Sequence, residues 1–306
     1  MIELISTVES FTQAKELLEV GVDTLYFGEE TFGLRLPSDF SREEQKELVT
    51  LAHQKGKKVT IAMNAIMHPE KMLLVPEYLA FLKEIQVDQI VVGDPGIVYV
   101  MRKNPELKIP FIFDAATIVT SARQINFWQK KGAIGAVLAR EVPFGEMQEL
   151  TKAVDVPVEV LVYGPTCIHH SKRPLLQNYY NYTQQEESVT KERGLFLSEP
   201  KKEETHYSIY EDSHGTHVFA DNDLDLMLEL AELNVANYKT WKLDGLFCSA
   251  NFVKIAALFA TAKEAILAGV FTQKEAQELD AKVKQLHPEK RGLDTGFYYI
   301  DPTEIK

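Results

Sequence analysis

The chain has 306 residues, 45% of them hydrophobic, and a formal net charge of -12. This length suits one large α/β domain with a substantial buried core. The acidic balance argues against indiscriminate binding of nucleic acid, because phosphate contacts need a local excess of lysine and arginine, although a local basic cluster stays open.

The amino terminus lacks the basic start and long apolar run of a signal peptide. No uninterrupted apolar stretch approaches the ~20 residues that cross a membrane. The two cysteines, Cys167 and Cys248, exclude a disulfide framework and fit a reducing compartment. We therefore expect a cytoplasmic protein without a membrane span.

Apolar runs alternate with amphipathic helical segments along most of the chain, a pattern typical of a parallel α/β fold. The helix predicted over 41–56 begins with a capping box, Ser41 with Glu44, and ends at Gly56. Further helices are predicted over 121–132 and 143–154. The predicted strands are 2–6, 24–28, 58–64, 89–94, 110–115, 135–141, 158–164 and 237–245.

Eight strands with intervening helices predict a TIM-like (β/α)8 barrel that forms one domain over 1–306. A Rossmann-like sheet is the alternative, but no G-x-G-x-x-G follows the first strand.

An insertion of roughly seventy residues, about 168–235, separates the seventh and eighth strands and far exceeds an ordinary loop. It contains a polar extended loop over 182–194, a β-hairpin turning at Ser213–Gly215 and a helix over 224–234. The C-terminal extension, about 249–306, is predicted to be helical over 250–269 and 272–286. A short aromatic strand is predicted within 292–302.

In a barrel of this type the functional face lies at the carboxyl ends of the strands. A polar residue there is often only a helix cap, and Asp94 before Pro95 is the best example. Asp114 and Lys242 each follow an apolar strand where an unpaired charge would be costly. The polar residues at the predicted strand ends are Asn64, Asp94, Asp114, Arg140, Glu141, Lys242 and Asp244.

Glu159 lies early in the seventh predicted strand. Its side chain either faces the barrel interior and pairs with a cation, or lies on the outer face against a helix. A buried and paired glutamate is structural about as often as functional.

The segment after Gly164 is predicted to be a loop and has several interpretations. A nucleophilic Cys167 needs a base placed in space, and the adjacent histidines are too close in sequence to ensure that geometry. A zinc site with a remote His214 or His217 lacks the usual ligand spacing. A buried thiol with two surface histidines, which has no chemical role, is the third interpretation. The cationic residues form either a solvated loop or one that binds an anion or an RNA phosphate. The side chains concerned are Cys167, His169, His170, Lys172 and Arg173.

From about Gly21 to about Ala250 the chain resembles peptidase family U32. The motifs that carry the resemblance are "GVDTLYFGEETFGLR", "AHQKGKKVTIAMNAI", "VDQIVVGDPGI", "FWQKKGAIGAVLAREVPFGEM", "VEVLVYGPTC" and "YKTWKLDGLFCSANFV". The last motif matches the family's lysine, acidic residue and glycine with Lys242, Asp244 and Gly245.

The resemblance implies a barrel-like fold and two kinds of activity. One is metal-dependent, collagenase-like proteolysis without agreed catalytic residues. The other is oxygen insertion into RNA or a quinone ring by members that hold an iron–sulfur cluster on four cysteines. Bacterial relatives of this type are implicated in hydroxylating the wobble uridine of tRNA with prephenate as a required metabolite, and some act as pairs of paralogues.

The chain departs from the cluster motif of the family. Cys167 matches the first cluster cysteine, but Pro174 stands where the second is expected and Phe196 where a later one is expected. A four-cysteine cluster therefore cannot form within one chain. The resemblance implies a cluster-less subunit of a tRNA wobble-uridine hydroxylation system, with no cofactor bound by this chain alone.

The expected partners are a cluster-bearing U32 paralogue, tRNA and a small anionic metabolite of the prephenate type. The expected catalytic residues are Asp114, Arg140, Glu159, Cys167, Lys242 and Asp244. The expected ligand-binding residues are Asn64, Asp94, His169, His170, Lys172 and Arg173, and no metal ligand is assigned.

Two alternatives stay open. A thiol- or metal-dependent peptidase would have to use Cys167 or a bound metal, because the chain has no H-E-x-x-H, G-x-S-x-G or papain-type motif. A non-catalytic barrel that only holds a small molecule is the other.

Overall fold

The computed structural model describes residues 1–114, 119–301 and 303, with all of their side chains except that of Glu203. Seven parallel strands come first along the chain, each hydrogen-bonded to the next. They are apolar and largely buried, as expected of strands covered on both faces. These strands are β1 (Glu3–Thr7), β2 (Thr24–Phe27), β3 (Lys58–Met63), β4 (Gln89–Val92), β5 (Phe111–Phe113), β6 (Ala133–Val137) and β7 (Val158–Gly164).

The insertion after β7 forms a small antiparallel sheet of its own, with strand order β8-β11-β10-β9. The predicted hairpin at Ser213–Gly215 is confirmed, because the turn joins β10 to β11 there. The strands are β8 (Cys167–Ser171), β9 (Phe196–Glu199), β10 (Lys202–Asp212) and β11 (Gly215–Phe219), followed by β12 (Asn222–Asp225), which pairs antiparallel with β7.

The barrel is closed by β13 (Thr240–Leu243), which lies parallel to both β7 and β1. The predicted TIM-like (β/α)8 barrel is therefore confirmed, and each of the eight predicted strands overlaps an observed barrel strand. In the predicted strand 110–115, residue 115 lies outside the described residues. A final strand, β14 (Gly292–Asp294), adds to the far side of β12.

Most of the helices pack around the barrel through their apolar faces. The capping box predicted at Ser41 is present, because Ser41 and Glu44 satisfy each other's backbone N–H groups. The helices are α1 (Phe11–Glu19), α2 (Arg42–Gln54), α3 (Pro69–Met72), α4 (Val75–Glu84), α5 (Pro95–Lys103), α6 (Ala122–Lys130), α7 (Phe144–Leu150), α8 (Leu175–Thr183), α9 (Leu230–Val235), α10 (Phe252–Leu267) and α11 (Gln273–Leu286).

The barrel has two distinct apolar regions. A large core between strands and helices includes the fully buried Trp241 and Phe259. Inside the barrel there is only a small apolar cluster, which includes Ile5, Tyr26 and Ile112. The remainder of the barrel interior is therefore available to polar side chains.

Three local predictions are corrected. The segment after Gly164, predicted as a loop, is strand β8, because β11 pairs with it. The helix predicted over 224–234 begins as β12, and α9 starts only at Leu230. The predicted aromatic strand near the C-terminus is β14, which ends before the aromatic residues 297–299, and residue 302 lies outside the described residues. Within the described parts of the chain, no helix has the length and apolar character needed to cross a membrane.

Candidate functional site

A cavity opens at the carboxyl-end face of the barrel, beside the insertion sheet. Its volume is about 80 Å³, well below the ~300 Å³ at the lower end of ligand pockets, so it suits part of a ligand, such as a ring. Glu141 also lines it. Seven of the predicted site residues meet there, namely Asn64, Asp114, Arg140, Glu159, Cys167, Lys242 and Asp244.

Glu159 and Lys242 form an ion pair inside the barrel. Lys242 Nζ lies 3.7 Å from Glu159 Oε1, and the two side chains are 11% and 1% exposed. The ammonium group also lies 3.4 Å from the ring centroid of Tyr26, in a cation–π contact. Among the described residues neither oxygen of Glu159 has a hydrogen-bond partner. Glu159 therefore faces the interior, and its carboxylate keeps free acceptors.

Burial sets the protonation behaviour of this pair. Desolvation raises the pKa of Glu159, and the charge of Lys242 opposes the rise only in part. Desolvation likewise raises the pKa of Tyr26 well above its usual range, and the carboxylates of Asp114 and Glu159 add to the effect. A bound group that donates a hydrogen bond to Glu159 would stabilise the carboxylate form.

Asn64 and Asp114 are joined by a hydrogen bond at the ends of β3 and β5, which lie on either side of β4. Asn64 Nδ2 donates to Asp114 Oδ2 at 2.9 Å. Asn64 Oδ1 accepts from the backbone N–H of Leu34 at 2.9 Å. The amide is thereby held in one orientation, and it fixes Asp114 at the edge of the cavity.

Asp244 and Arg140 also line the cavity. Asp244 Oδ1 accepts from the backbone N–H of Leu246 at 3.1 Å. Desolvation raises the pKa of Asp244, against the opposing charges of Lys242 and Arg140. Gly164 has φ +122°, and a Cβ there would overlap the carbonyl oxygen of Asp244, so only glycine allows this approach.

The insertion contributes Cys167, His217 and Asp212. His217 has a fully buried side chain, and its Nε2 lies 2.9 Å from Asp212 Oδ1. Burial alone would lower the pKa of His217, but the hydrogen bond to Asp212 and the charge of that carboxylate outweigh it, and the pKa is raised. Burial alone would raise the pKa of Cys167, but His217 and Arg35 outweigh it, and the pKa is lowered.

The other five predicted residues do not line the cavity. Asp94 caps α5 by accepting from the backbone N–H of Gly96 at 2.6 Å, and it also accepts from Met67 N at 2.8 Å. Lys172 Nζ donates to Ser213 O at 2.7 Å. The remaining three are His169, His170 and Arg173, which lie on β8 or just after it.

Sequence reasoning missed four residues of the site. Tyr26 points inward from β2. Its neighbours in the sequence are apolar, so the sequence indicated an ordinary core residue. Arg35 lines the cavity from the loop after β2, and no motif marks it. Asp212 and His217 flank the hairpin turn, and the hairpin pattern places them close to each other but does not indicate that they form a buried hydrogen-bonded pair. In the sequence, His217 is a candidate only as a remote zinc ligand.

The side chains around Cys167 do not fit a four-cysteine iron–sulfur cluster. Cys248, the second cysteine, is 3% exposed and contacts Tyr163, away from the cavity. Pro174 precedes α8 and Phe196 lies exposed on β9. In the part of the chain that the structure describes, no group of three or more His, Cys, Asp or Glu residues is placed to hold a metal ion.

Comparison with known proteins shows which proteins this chain is similar to. A sequence model of peptidase family U32 matches residues 9–306. The Bacillus subtilis "tRNA hydroxylation protein P2" is 34% identical over 97% of each chain. An Escherichia coli 23S rRNA 5-hydroxycytidine synthase is 26% identical over 83% of this chain, which spans 38% of that protein. The solved structure of the U32 peptidase Mk0906 has the same fold, with a TM-score of 0.51, 14% identity and coverage of 80% of this chain and 92% of that one.

Proposed function

This chain belongs to peptidase family U32, and from that premise we propose that it is a subunit of a tRNA hydroxylation system that converts the wobble uridine to 5-hydroxyuridine. The observation that carries the proposal is the 34% identity to a tRNA hydroxylation protein over 97% of both chains. A match of that extent leaves no large part of either protein unaccounted for.

The barrel cavity supports this function because it combines hydrogen-bond acceptors and donors around a space suited to a ring. Glu159 offers free acceptor oxygens, and Lys242 and Arg140 offer donors. The base edge of uracil alternates acceptor, donor and acceptor, which such a set can match. Asp114, Asp244 and Cys167 complete the proposed catalytic group, and Asn64 orients Asp114.

The residues outside the cavity have a different proposed role. Lys172 and Arg173 are exposed at the end of β8, beside His169 and His170, and the two cations form a basic edge suited to RNA phosphate or to an anionic metabolite of the prephenate type. Asp94 would act only through the helix that it caps.

The proposed system includes a second protein. Since the side chains of this chain do not fit a four-cysteine cluster, a cluster-bearing U32 paralogue is the proposed source of the oxidising centre. Both proteins would work in the cytoplasm, where tRNA is modified.

Deletion of the gene tests the proposal. We expect 5-hydroxyuridine-type nucleosides to disappear from the wobble position of tRNA and to return on complementation, as measured by mass spectrometry of digested tRNA. Complementation with Glu159→Gln should restore little modification. Unchanged tRNA in a clean deletion strain would refute the proposed function.

Thiol-dependent hydrolysis is the second candidate. The specific observation in its favour is the hydrogen-bonded His217–Asp212 pair on the same small sheet as Cys167, since a paired histidine is the kind of base that a thiol nucleophile needs. Cleavage of a peptide substrate by the purified chain, and its loss in Cys167→Ser, would support it.

A further inference from the structure

The barrel cavity extends from the carboxyl ends of the strands into the barrel interior. Cys167 and Asp244 line it just beyond the ends of β7 and β13. Glu159 and Lys242 also line it, but they lie within those two strands, with Glu159 near the start of β7. A ligand that enters from the rim therefore meets Glu159 and Lys242 at the inner end of the cavity.

The carboxyl group of Glu159 is buried without a hydrogen-bond donor. Its side chain is 1% exposed, and within the described residues neither of its oxygens has a hydrogen-bond partner. The distance of 3.7 Å from Lys242 Nζ gives an ion pair but is too long for a hydrogen bond. A buried carboxylate without a donor is unfavourable, so this site is completed by a bound group that carries an N–H or O–H.

Lys242 supplies a donor next to this acceptor. Its ammonium group lies 3.4 Å from the ring centroid of Tyr26, so the ring and the carboxylate of Glu159 together hold it in place. An acceptor and a donor side by side match a ring edge on which an N–H lies next to a carbonyl oxygen. The N3–H and O4 of uracil form such an edge.

The charges that line the cavity nearly balance. Three cationic side chains stand against four carboxyl groups, so a small ligand that carries several negative charges gains little there, whereas a neutral polar ring meets both donors and acceptors. The lining residues concerned are Arg35, Arg140 and Lys242, with Asp114, Glu141, Glu159 and Asp244.

We propose that Glu159 and Lys242 determine the specificity of this chain for uracil, with the Glu159 carboxylate accepting from N3–H and the Lys242 ammonium donating to O4. This inference rests on the proposed function and names the residues that select the base. N1 lies opposite C4 in the pyrimidine ring. With O4 at the inner end of the cavity, N1 and the attached ribose point to the rim, where there is room for the RNA chain.

The same pair disfavours cytosine. In the same position cytosine directs the lone pair of N3 at the carboxylate and its amino group at the ammonium, so both contacts join like with like. Shifting the ring to avoid this is opposed by the small volume of the cavity, about 80 Å³. 3-Methyluridine isolates one contact, because a methyl group replaces the proton on N3 and O4 is unchanged.

Binding of matched RNA hairpins tests this recognition. The full chain, copurified with its cellular partner, is titrated with fluorescent anticodon stem-loops that carry uridine, 3-methyluridine or cytidine at the wobble position. The three hairpins have the same phosphates, so differences in affinity report the base. We expect the uridine hairpin to bind about tenfold or more tightly than either of the others, as measured by fluorescence anisotropy.

The double variant Glu159→Met with Lys242→Met removes both contacts and leaves no unpaired buried charge. We expect it to bind the three hairpins within about twofold of one another. It should bind the 3-methyluridine hairpin as the wild type does, because both complexes lack the N3–H contact. Glu159→Gln, which keeps the size of the side chain and removes its charge, should also reduce the preference for uridine.

Glu229 provides a matched control. Its side chain is also buried, at 4% exposure, and within the described residues its Oε2 has no hydrogen-bond partner, but it does not line the cavity. Glu229→Gln should therefore keep the wild-type preference for uridine.

The outcomes separate this inference from the proposed function. Equal binding of the uridine and 3-methyluridine hairpins by the wild type would overturn the inference, as would a preference for uridine that persists in the double variant. If the deletion strain loses tRNA modification while the wild-type complex binds all three hairpins alike, the proposed function stands and the base recognition does not. If the deletion strain keeps its modification, the proposed function fails, whereas a uridine preference that depends on Glu159 would still support the recognition.

Discussion

The barrel and the insertion each hold a buried ionic group, by different means. Glu159 and Lys242 are held by strands that pair on both sides within a closed barrel. His217 and Asp212 are held by a four-stranded sheet with open edges, whose β8 and β9 have largely exposed side chains. The barrel group is therefore part of the core, whereas the insertion group depends on a small peripheral structure.

Substitutions that change the stability of the fold can therefore be distinguished from substitutions that change reactivity. A charge inside the barrel cannot be removed without leaving its partner in a low-dielectric interior. A change on the insertion sheet affects fewer buried contacts and should act mainly on chemistry. Three measurements test this distinction.

The largest effect is expected from Lys242→Ala. Loss of the ammonium leaves Glu159 buried at 1% exposure without its cation, and breaking such a pair costs about 4 kcal/mol of the free energy of unfolding. Chemical denaturation at neutral pH measures it. The double variant Glu159→Gln with Lys242→Met should be considerably more stable than Lys242→Ala, because it leaves no unpaired charge. Equal stability of the two would contradict a buried ion pair.

A smaller effect is expected where the insertion rejoins the barrel. Burial raises the pKa of Asp225 to about 7 from 3.8. The native state then holds a proton that the unfolded state releases, so the free energy of unfolding falls as pH rises between those values. Integration between about pH 4 and pH 6 gives a loss of about 2 kcal/mol from this residue. Asp225→Asn should lack that loss, as shown by denaturation curves at both pH values. A parallel pH dependence in the two proteins would rule out this protonation.

The smallest effect on stability is expected at the basic edge. Lys172 and Arg173 are exposed, so the double alanine variant should unfold within about 0.5 kcal/mol of the wild type. If the edge contacts RNA phosphate, tRNA affinity should fall severalfold and depend less steeply on salt. Filter binding at two salt concentrations measures both quantities. An unchanged salt dependence would place tRNA elsewhere on the protein.

Much of the barrel was predictable because its signal is local and repeated. Apolar runs of strand length, separated by helices with caps such as Ser41, predicted all eight barrel strands. The same regularity placed Asp114, Arg140, Lys242 and Asp244 at one face, where the structure has them around one cavity. The resemblance to family U32 added Cys167, Lys242 and Asp244 as site residues.

The insertion was less predictable because its contacts are not local. β8 has no apolar alternation and forms only because β11 offers hydrogen bonds about fifty residues later. The direction of Glu159 was open in the sequence, and only barrel closure turned it inward to Lys242. Asp212 carried no motif and His217 was a candidate only as a remote zinc ligand, so nothing in the chain marked the two as a buried pair.

By itself the sequence determined that this protein is a parallel α/β barrel with a long insertion and without the cysteines of a four-cysteine cluster. These properties follow from residue periodicity and from simple counts, which need no knowledge of distant contacts. The tertiary structure decided which side chains share the cavity, because closure of the barrel and pairing of β8 with β11 join residues far apart in the chain. The tertiary structure also sets the pKa values of Glu159, Cys167 and His217, since burial and neighbouring charge exist only once the chain has folded.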